Sequence, residues 1–404
     1  MNHAARGVRF DDHRQHRWSL PLVWAIGLPL VSAQPPQTES YDIGNLRALE
    51  SAFVRLAEQV RPSVVAVRTY TLPTGAKPDS LTLLTRVLSD GSGFIISPDG
   101  LILTNRHVLE DADHVVVVLA TGREYPATLR QADIRSDLAV LRIDAEHLPA
   151  VRWGSAERVK VNQWAFAFGN PFGLAANDGK ASVTFGVVSA VGRKLTDRLA
   201  AHRGLEYYDN LIETSAAINP GTSGGPLLNL DGEVIGITTA IESANGVNQG
   251  VGFAIPIDAY TRQIIDTLSA GKPMRYGYLG VAVSDNAVPE SPMVARLHAA
   301  RGARIRRVDE GTPAAAADLR RNDVVLEFNG TPVENGDHLV RLVSLTPVGT
   351  TVALLVQRDG QRLPMTVTVG DRFALLGYET TRQEGQSPSL PTAPGIRCGD
   401  ERTP

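Results

Sequence analysis

The chain has 404 residues, 43% of them apolar and 21% charged, with a formal charge of −3. That length holds two or three domains with a substantial core, and the composition is that of an ordinary folded protein, neither disordered nor fibrous. The near-neutral balance and scattered arginines leave no footprint for nucleic acid, and the single cysteine, Cys398, rules out an internal disulfide, so stability rests on packing.

At the N-terminus, Arg6, Arg9, Arg14 and Arg17 precede an apolar stretch from Trp18 to Val31, which ends Val31-Ser32-Ala33 before Gln34-Pro35-Pro36. A basic flank, a short apolar run and small residues at its end read as an export signal over residues 1–33, cleaved after Ala33. An uncleaved membrane anchor is the alternative, and a buried helix a third reading, although the stretch is short for a span. Residues 34–47 read as a polar linker. Leu46, Leu49, Phe53, Val54, Leu56 and Val60 then recur at helical spacing and stop at Pro62. A strand over Ser63–Val67 is followed by a loop or extended hairpin up to Asp90.

From Gly91 onward the pattern is short strands divided by turns. Pro98-Asp99-Gly100 between two apolar triplets, Phe94-Ile95-Ile96 and Leu101-Ile102-Leu103, predicts a hairpin. Further strands are predicted near residues 115–119, 124–130, 138–143, 164–168, 182–190, 225–228, 234–240 and 252–255. No run between 91 and 256 has the period of a long amphipathic helix, so this region reads as an all-β domain large enough for two packed barrels. A helix near 257–268 closes it, and residues 269–273 mark a boundary. A smaller unit follows, with strands near 279–283, 304–308 and 324–328, helices starting at Pro313 and Gly336, and a terminal hairpin near 352–369. The tail over residues 371–404 is low in complexity and reads as disordered.

Three segments carry chemistry. Gly221-Thr222-Ser223-Gly224-Gly225-Pro226 sets a serine on a glycine-rich turn, Thr104-Asn105-Arg106-His107-Val108 offers a base, and Ser136-Asp137-Leu138-Ala139-Val140 offers an acid at the lip of an apolar strand. The chain order His107, Asp137, Ser223 is one of the known orders of a Ser-His-Asp triad, the one associated with paired β-barrels. A free serine hydroxyl is a poor nucleophile at neutral pH and needs such partners. The amides of Gly221 and Ser223 could converge on an oxyanion. Each residue alone has a blander reading: a flexible turn, a surface histidine, a turn-capping aspartate. The ordered combination favours catalysis.

The motifs together resemble the HtrA/Deg serine proteases of the chymotrypsin-like class. Gly91-Ser92-Gly93-Phe94, Gly169-Asn170-Pro171-Phe172-Gly173 and Gly252-Phe253-Ala254-Ile255-Pro256 join the three segments above, in family order, and the resemblance runs from about residue 48 to 370. It implies a mostly β fold, a chymotrypsin-like double β-barrel over residues 48–270 followed by a PDZ domain over residues 275–370. It carries over His107, Asp137 and Ser223 as the triad and Gly221 with Ser223 as the oxyanion hole. Ile218, Ile237, Thr238 and Thr239 match positions lining the pocket for the residue before the cleaved bond, together with Ala240. Small and aliphatic residues there imply a small or medium apolar side chain, since no acid is present to pair a buried cation. A purely core role for Ile237 is the alternative. The resemblance also makes loop 169–181 a mobile element that orders on activation.

Tyr278-Leu279-Gly280-Val281 resembles the carboxylate-binding loop of a PDZ domain, where amides cradle a peptide C-terminus that adds as a strand. Arg320-Arg321-Asn322-Asp323 departs from the pattern, because relatives typically place a glycine before the aspartate; asparagine tolerates the left-handed geometry. A closing domain with no ligand is the blander reading. The resemblance implies a serine endopeptidase of the cell envelope, periplasmic or anchored to the inner membrane facing the periplasm. It would act on misfolded or unfolded polypeptides and be regulated by C-termini at the PDZ domain. It also implies a homotrimer, with residues near Tyr41 and Phe53 as interface. No metal or organic cofactor is expected, as no ligand spacing is present. A chaperone-like peptide binder and a scaffold with an unassembled triad remain the other classes.

Overall fold

The computed structural model describes residues 43–71, 87–170, 174, 180–194, 210–239, 250–285 and 301–375. The predicted export segment, Tyr41, most of the 72–90 loop, Gly173 and Gly179 of the predicted mobile loop, Ala240, and the tail beyond residue 375 with Cys398 lie outside the described residues. The chain divides into two units at Leu49/Glu50, inside helix α1 (Ile43–Val60). Of the first unit only residues 43–49 are described, helical turns that are largely exposed. The described part of the helix begins at Ile43, and its apolar residues include those at the predicted helical spacing.

In the second unit, β1 (Val64–Tyr70), β2 (Val87–Ser97), β3 (Leu101–Asn105), β4 (His114–Val118), β5 (Glu124–Asp133) and β6 (Leu138–Ile143) close into a barrel of order β1-β2-β3-β6-β5-β4. Val65, Val67, Ile95, Ile102, Val117, Leu141 and Ile143 fill its interior. A second set follows: β7 (Arg152–Trp153), β8 (Trp164–Gly169), β9 (Ser182–Arg193), β10 (Leu211–Thr214), β11 (Pro226–Leu228), β12 (Glu233–Thr239) and β13 (Gly252–Pro256). Its order is β11-β8-β9-β10-β13-β12, closed by pairing of β11 with β12, and β7 adds parallel to β12. Helix α2 (Ala259–Ser269) packs back on the barrels, its first turn capped by Asp258, whose carboxylate accepts from the Thr261 amide.

The two barrels share a core. Val64, Phe94, Leu103 and Leu138 of the first meet Phe166, Phe168, Leu228 and Ile237 of the second, with Leu56 and Val60 of α1 and Ile264 and Leu268 of α2 packed in. The apolar seam brings the ends of β3, β5, β6 and β11 together, and the candidate site lies along it.

The C-terminal domain comprises β14 (Gly277–Tyr278), β15 (Val281–Asp285), β16 (Ala303–Val308), α3 (Pro313–Ala316), β17 (Val324–Phe328), β18 (Thr331–Pro332), α4 (Gly336–Leu345), β19 (Thr351–Arg358), β20 (Gln361–Thr368), β21 (Gly370–Asp371) and α5 (Arg372–Leu375). Its main sheet runs β15-β16-β17-β19-β20, β14 pairs β21, and Leu279, Ile305, Phe328, Leu339 and Val356 form a separate core. The predicted strand at 279–283 begins instead at Val281 and runs to Asp285, because Gly280 sits at φ +83° and breaks the pleat before it. Tyr276, fully buried, ties this domain to the first barrel: its hydroxyl donates to Asp133 at 2.5 Å, and the Arg135 guanidinium lies 5.1 Å from its ring centre. Arg135 reaches on to the Ser344 hydroxyl of α4 at 3.4 Å. Burial, and then the Asp133 carboxylate, push the Tyr276 phenol well above its usual range. Among the described residues no helix is long and apolar enough to cross a membrane.

Candidate active site at the barrel seam

β3 ends at Asn105 and the chain turns into a short helix, Arg106–Leu109, that carries His107. Asp137 lies in the turn between β5 and β6. His107 Nδ1 stands 2.6 Å from Asp137 Oδ2, and the His107 amide donates to Asp137 Oδ1 at 2.9 Å. The Asp137 carbonyl accepts from the Arg106 amide at 2.9 Å and from Asn105 Nδ2 at 3.0 Å. Asp137 is fully buried and sits at φ +54°, a left-handed conformation that aspartate tolerates better than most residues. A buried carboxylate is costly unless its oxygens are satisfied, and here both oxygens take donors from the one residue they orient. A carboxylate only accepts, so Nδ1 carries the imidazole proton and Nε2 presents a lone pair.

The serine turn is built from the other barrel. Thr222 N donates to Asn219 O at 3.0 Å, Gly225 N to Thr222 O at 3.0 Å, and Gly224 N to Thr238 O at 2.8 Å. Thr238 Oγ1 donates to Thr222 O at 2.6 Å, so β12 braces the turn from beneath. A bond from Ser92 N to Ser223 O, 2.9 Å, ties the turn to β2 of the first barrel. Gly224 permits that approach: it lies at φ +85°, and a Cβ there would meet the Ser92 carbonyl oxygen at 2.3 Å and Thr104 Oγ1 at 2.4 Å. The residue after Ser223 thereby lies against the end of β3, two residues before His107. Ser223 itself is 5% exposed. Gly221, at φ +92°, opens the turn.

The four expected pocket residues occupy different surroundings. Ile237 lies in the core shared by the barrels, and Thr238 spends its hydroxyl on the carbonyls of Thr222 and Gly225. Ile218 packs against Gly252, where a Cβ would meet its Cδ1 at 2.7 Å, and Thr239 ends β12 beside it in the sheet order. In the C-terminal domain the Leu279 carbonyl accepts from Ala314 N at 2.8 Å and the Gly280 carbonyl from Asp309 N at 2.9 Å. In trans peptides the amides of Gly280 and Val281 then point the opposite way. β15 is the terminal strand of its sheet, paired with β16 on one side, and α4 packs beside it. Among the described residues nothing pairs on the other side of β15, and a terminal strand beside a helix is the geometry that takes an added peptide strand. Asn322 stands at φ +75°, the left-handed position where a glycine was the expected residue, and Asp323 behind it is clamped by Arg358 at 2.7 and 2.8 Å.

Ser92, Thr104 and Asn105 stood within the motifs and Thr238 among the pocket residues, with no bracing role read for their side chains. All four are buried and hydrogen-bonded into the site. Thr104, Asn105 and Thr238 carried a signal, as polar residues at the ends of apolar strands, a placement that needs a partner, whereas Ser92 sits among Ser89, Asp90 and two glycines and carried none. Among the described residues no three His, Cys, Asp or Glu side chains are gathered to hold a metal ion.

The paired barrels and the sheet-and-helix domain after them define a trypsin-like serine peptidase fold joined to a PDZ domain. The trypsin-like peptidase domain family matches residues 91–237 and the PDZ domain family residues 277–369. Of the solved structures, the HtrA-type protease AlgW with tripeptide superposes with a TM-score of 0.64 at 34% identity, covering 79% of this chain and 97% of that one. A serine endoprotease from Yersinia pestis follows at a TM-score of 0.57 and 30% identity, covering 79% and 97%. The chain belongs to the HtrA family of serine proteases. A "probable periplasmic serine endoprotease DegP-like" of Halomonas elongata is 44% identical over 284 residues, 70% of this chain and 56% of the relative. One of Chlamydia muridarum is 41% identical over 281 residues, 69% and 53%. The chain thus spans little more than half the length of these curated relatives.

Proposed function

We propose that this chain is a periplasmic serine endopeptidase that cleaves unfolded or misfolded polypeptides and is regulated by peptide C-termini at its PDZ domain. The observation that carries this reading is the His107–Asp137 pair, 2.6 Å apart on a fully buried carboxylate, beside a serine turn held from both barrels. Ser223 Oγ attacks the peptide carbonyl as His107 Nε2 takes its proton. Asp137 stabilises the imidazolium that forms, and His107 then returns the proton to the leaving amine. The amides of Gly221 and Ser223 hold the negative oxygen of the tetrahedral intermediate. Water repeats the sequence on the acyl-enzyme.

The pocket before the cleaved bond, assigned to Ile218, Ile237, Thr238 and Thr239, takes a small or medium apolar side chain. The amides of the Tyr278-Leu279-Gly280-Val281 loop bind a terminal carboxylate while the peptide pairs with β15. Relatives named as periplasmic, together with the signal-like segment 1–33, support export. The chain assembles as a homotrimer, as the family resemblance implies, and a surface for such contact is offered at the aromatic cluster of Phe53, Trp164, Phe166 and Phe185, ring centres 5.0–5.9 Å apart, where Phe185 remains 49% exposed.

Digestion of casein or a denatured protein tests the reading. The wild type cleaves, Ser223→Ala does not, and peptides with apolar C-termini raise the rate. Cleavage surviving Ser223→Ala removes the mechanism. A rate indifferent to peptides removes the regulation and leaves the enzyme. An inactive wild type that still binds peptides marks a chaperone-like binder instead. N-terminal sequencing of exported protein separates a cleaved signal, starting at Gln34, from an anchor.

A further inference from the structure

The Gly91-Ser92-Gly93-Phe94 segment has no role in the mechanism above, yet Ser92 is bonded to the serine turn, to β3 and to the residue after β8. Its side chain is fully buried in β2, where a hydroxyl is costly unless bonded. It is bonded twice: Ser92 Oγ donates to the Gly221 carbonyl at 2.6 Å and accepts from the Asn170 amide, the first residue after β8, at 2.7 Å. Its backbone adds two more links, Ser92 N to Ser223 O at 2.9 Å and Thr104 Oγ1 to Ser92 O at 2.7 Å. One residue thus joins the serine turn, the strand that leads to His107, and the end of β8.

The bond to Gly221 is the informative one. The peptide group between Gly221 and Thr222 has its carbonyl held by Ser92 and its N–H held by Asn219 O at 3.0 Å. Held at both ends, that plane cannot rotate. Gly221, at φ +92°, is the residue whose own amide must face the developing oxyanion, and a glycine left loose there has the widest conformational choice of any residue. An oxyanion hole works by being arranged before charge develops. A hydroxyl whose oxygen also accepts an N–H is polarised into a better donor, so order at Asn170 is felt at Gly221.

We propose that Ser92 is a positioning residue that preorganises the oxyanion hole through the Gly221 carbonyl and couples it to the Asn170 amide. The proposal rests on the reading of Ser223 as nucleophile and Gly221 as oxyanion donor. Its test uses the full chain, a substrate-like peptide boronic acid, and the same peptide ending in an amide. Ser223 Oγ forms a bond to boron, which has an empty orbital and loses no group; the serine proton passes to His107, and the boron becomes tetrahedral and anionic. The amide binds as a ground-state ligand only. Ser92→Ala is expected to lower kcat and boronate affinity in parallel, by about 10- to 100-fold, a fraction of the loss on removing an oxyanion donor outright, with KM and amide affinity within about twofold. Equal losses for boronate and amide, or no loss for either, overturn the proposal.

Should Ser92→Ala not fold, the wild type decides. Boronate uptake is expected to slow hydrogen exchange at the Thr222 and Asn170 amides together, and protection of one without the other contradicts the coupling. A wild type that takes up no boronate, or a Ser223→Ala variant that takes it up equally, removes the nucleophile reading and this proposal with it. A normal wild type and an indistinguishable Ser92→Ala remove this proposal alone.

Discussion

Asp137 is held in an unfavourable backbone conformation by the neighbours it serves: the amides of Arg106 and His107, the Asn105 side chain and the His107 ring. Strain of this kind persists where bonds on all sides determine it. Asp137→Asn keeps the shape and the backbone acceptor but offers an amide to the imidazole, which favours the wrong tautomer. The expected outcome is a loss of about 10⁴-fold in kcat with the fold intact, by analogy with the equivalent substitution in another serine protease. Steady-state kinetics on a peptide substrate, beside a thermal melt, check it; an unchanged kcat contradicts the assigned role. At this scale the triad types and their order were legible, because nucleophile, base and acid are chemical identities that a sequence spells out. The bracing hydroxyls of Ser92 and Thr238 were not, because their partners at Gly221 and Thr222 lie 129 and 16 residues away.

Elements show the same division between local and distant causes. The hairpin of β2 and β3, the α2 cap and α4 follow from turn residues, capping and period, all local. β10 escaped notice because Leu211-Ile212-Glu213-Thr214 is too short to show alternation, and it is a strand because β9 and β13 flank it. The break at Gly280 likewise depends on Thr312, which a Cβ there would meet at 2.2 Å. Asn322 turns the chain at φ +75° before the buried Asp323. Asn322→Gly is expected to leave stability within about 0.5 kcal/mol, whereas Asn322→Val, β-branched in a left-handed position, is expected to cost about 1–2 kcal/mol. Urea unfolding followed through the PDZ domain checks both, and a valine variant as stable as wild type contradicts the assignment of that turn.

Across the whole molecule the two domains meet through a buried polar contact, Tyr276 with Asp133 at the end of β5 and Arg135 in the turn that leads to Asp137. Their succession was readable from the boundary at residues 269–273, but the contact was not, since it joins residues 143 apart. Tyr276→Phe removes the donor and leaves Asp133 short of a partner, for an expected loss of about 1–3 kcal/mol. The folded-state pKa of Tyr276 is raised above its usual 10.0, so its contribution is whole below that pH and is lost as pH rises through the higher folded-state value. Wild-type stability should therefore fall more steeply above about pH 10 than that of Tyr276→Phe; parallel pH profiles contradict this. The central claim is that seam geometry makes Ser223 a nucleophile, and reaction of the full chain with a fluorophosphonate, read by peptide mass spectrometry, tests it most directly. The account predicts one adduct, on Ser223, absent from Ser223→Ala and strongly slowed in His107→Ala. Labelling at another residue, or at an equal rate in His107→Ala, would contradict it.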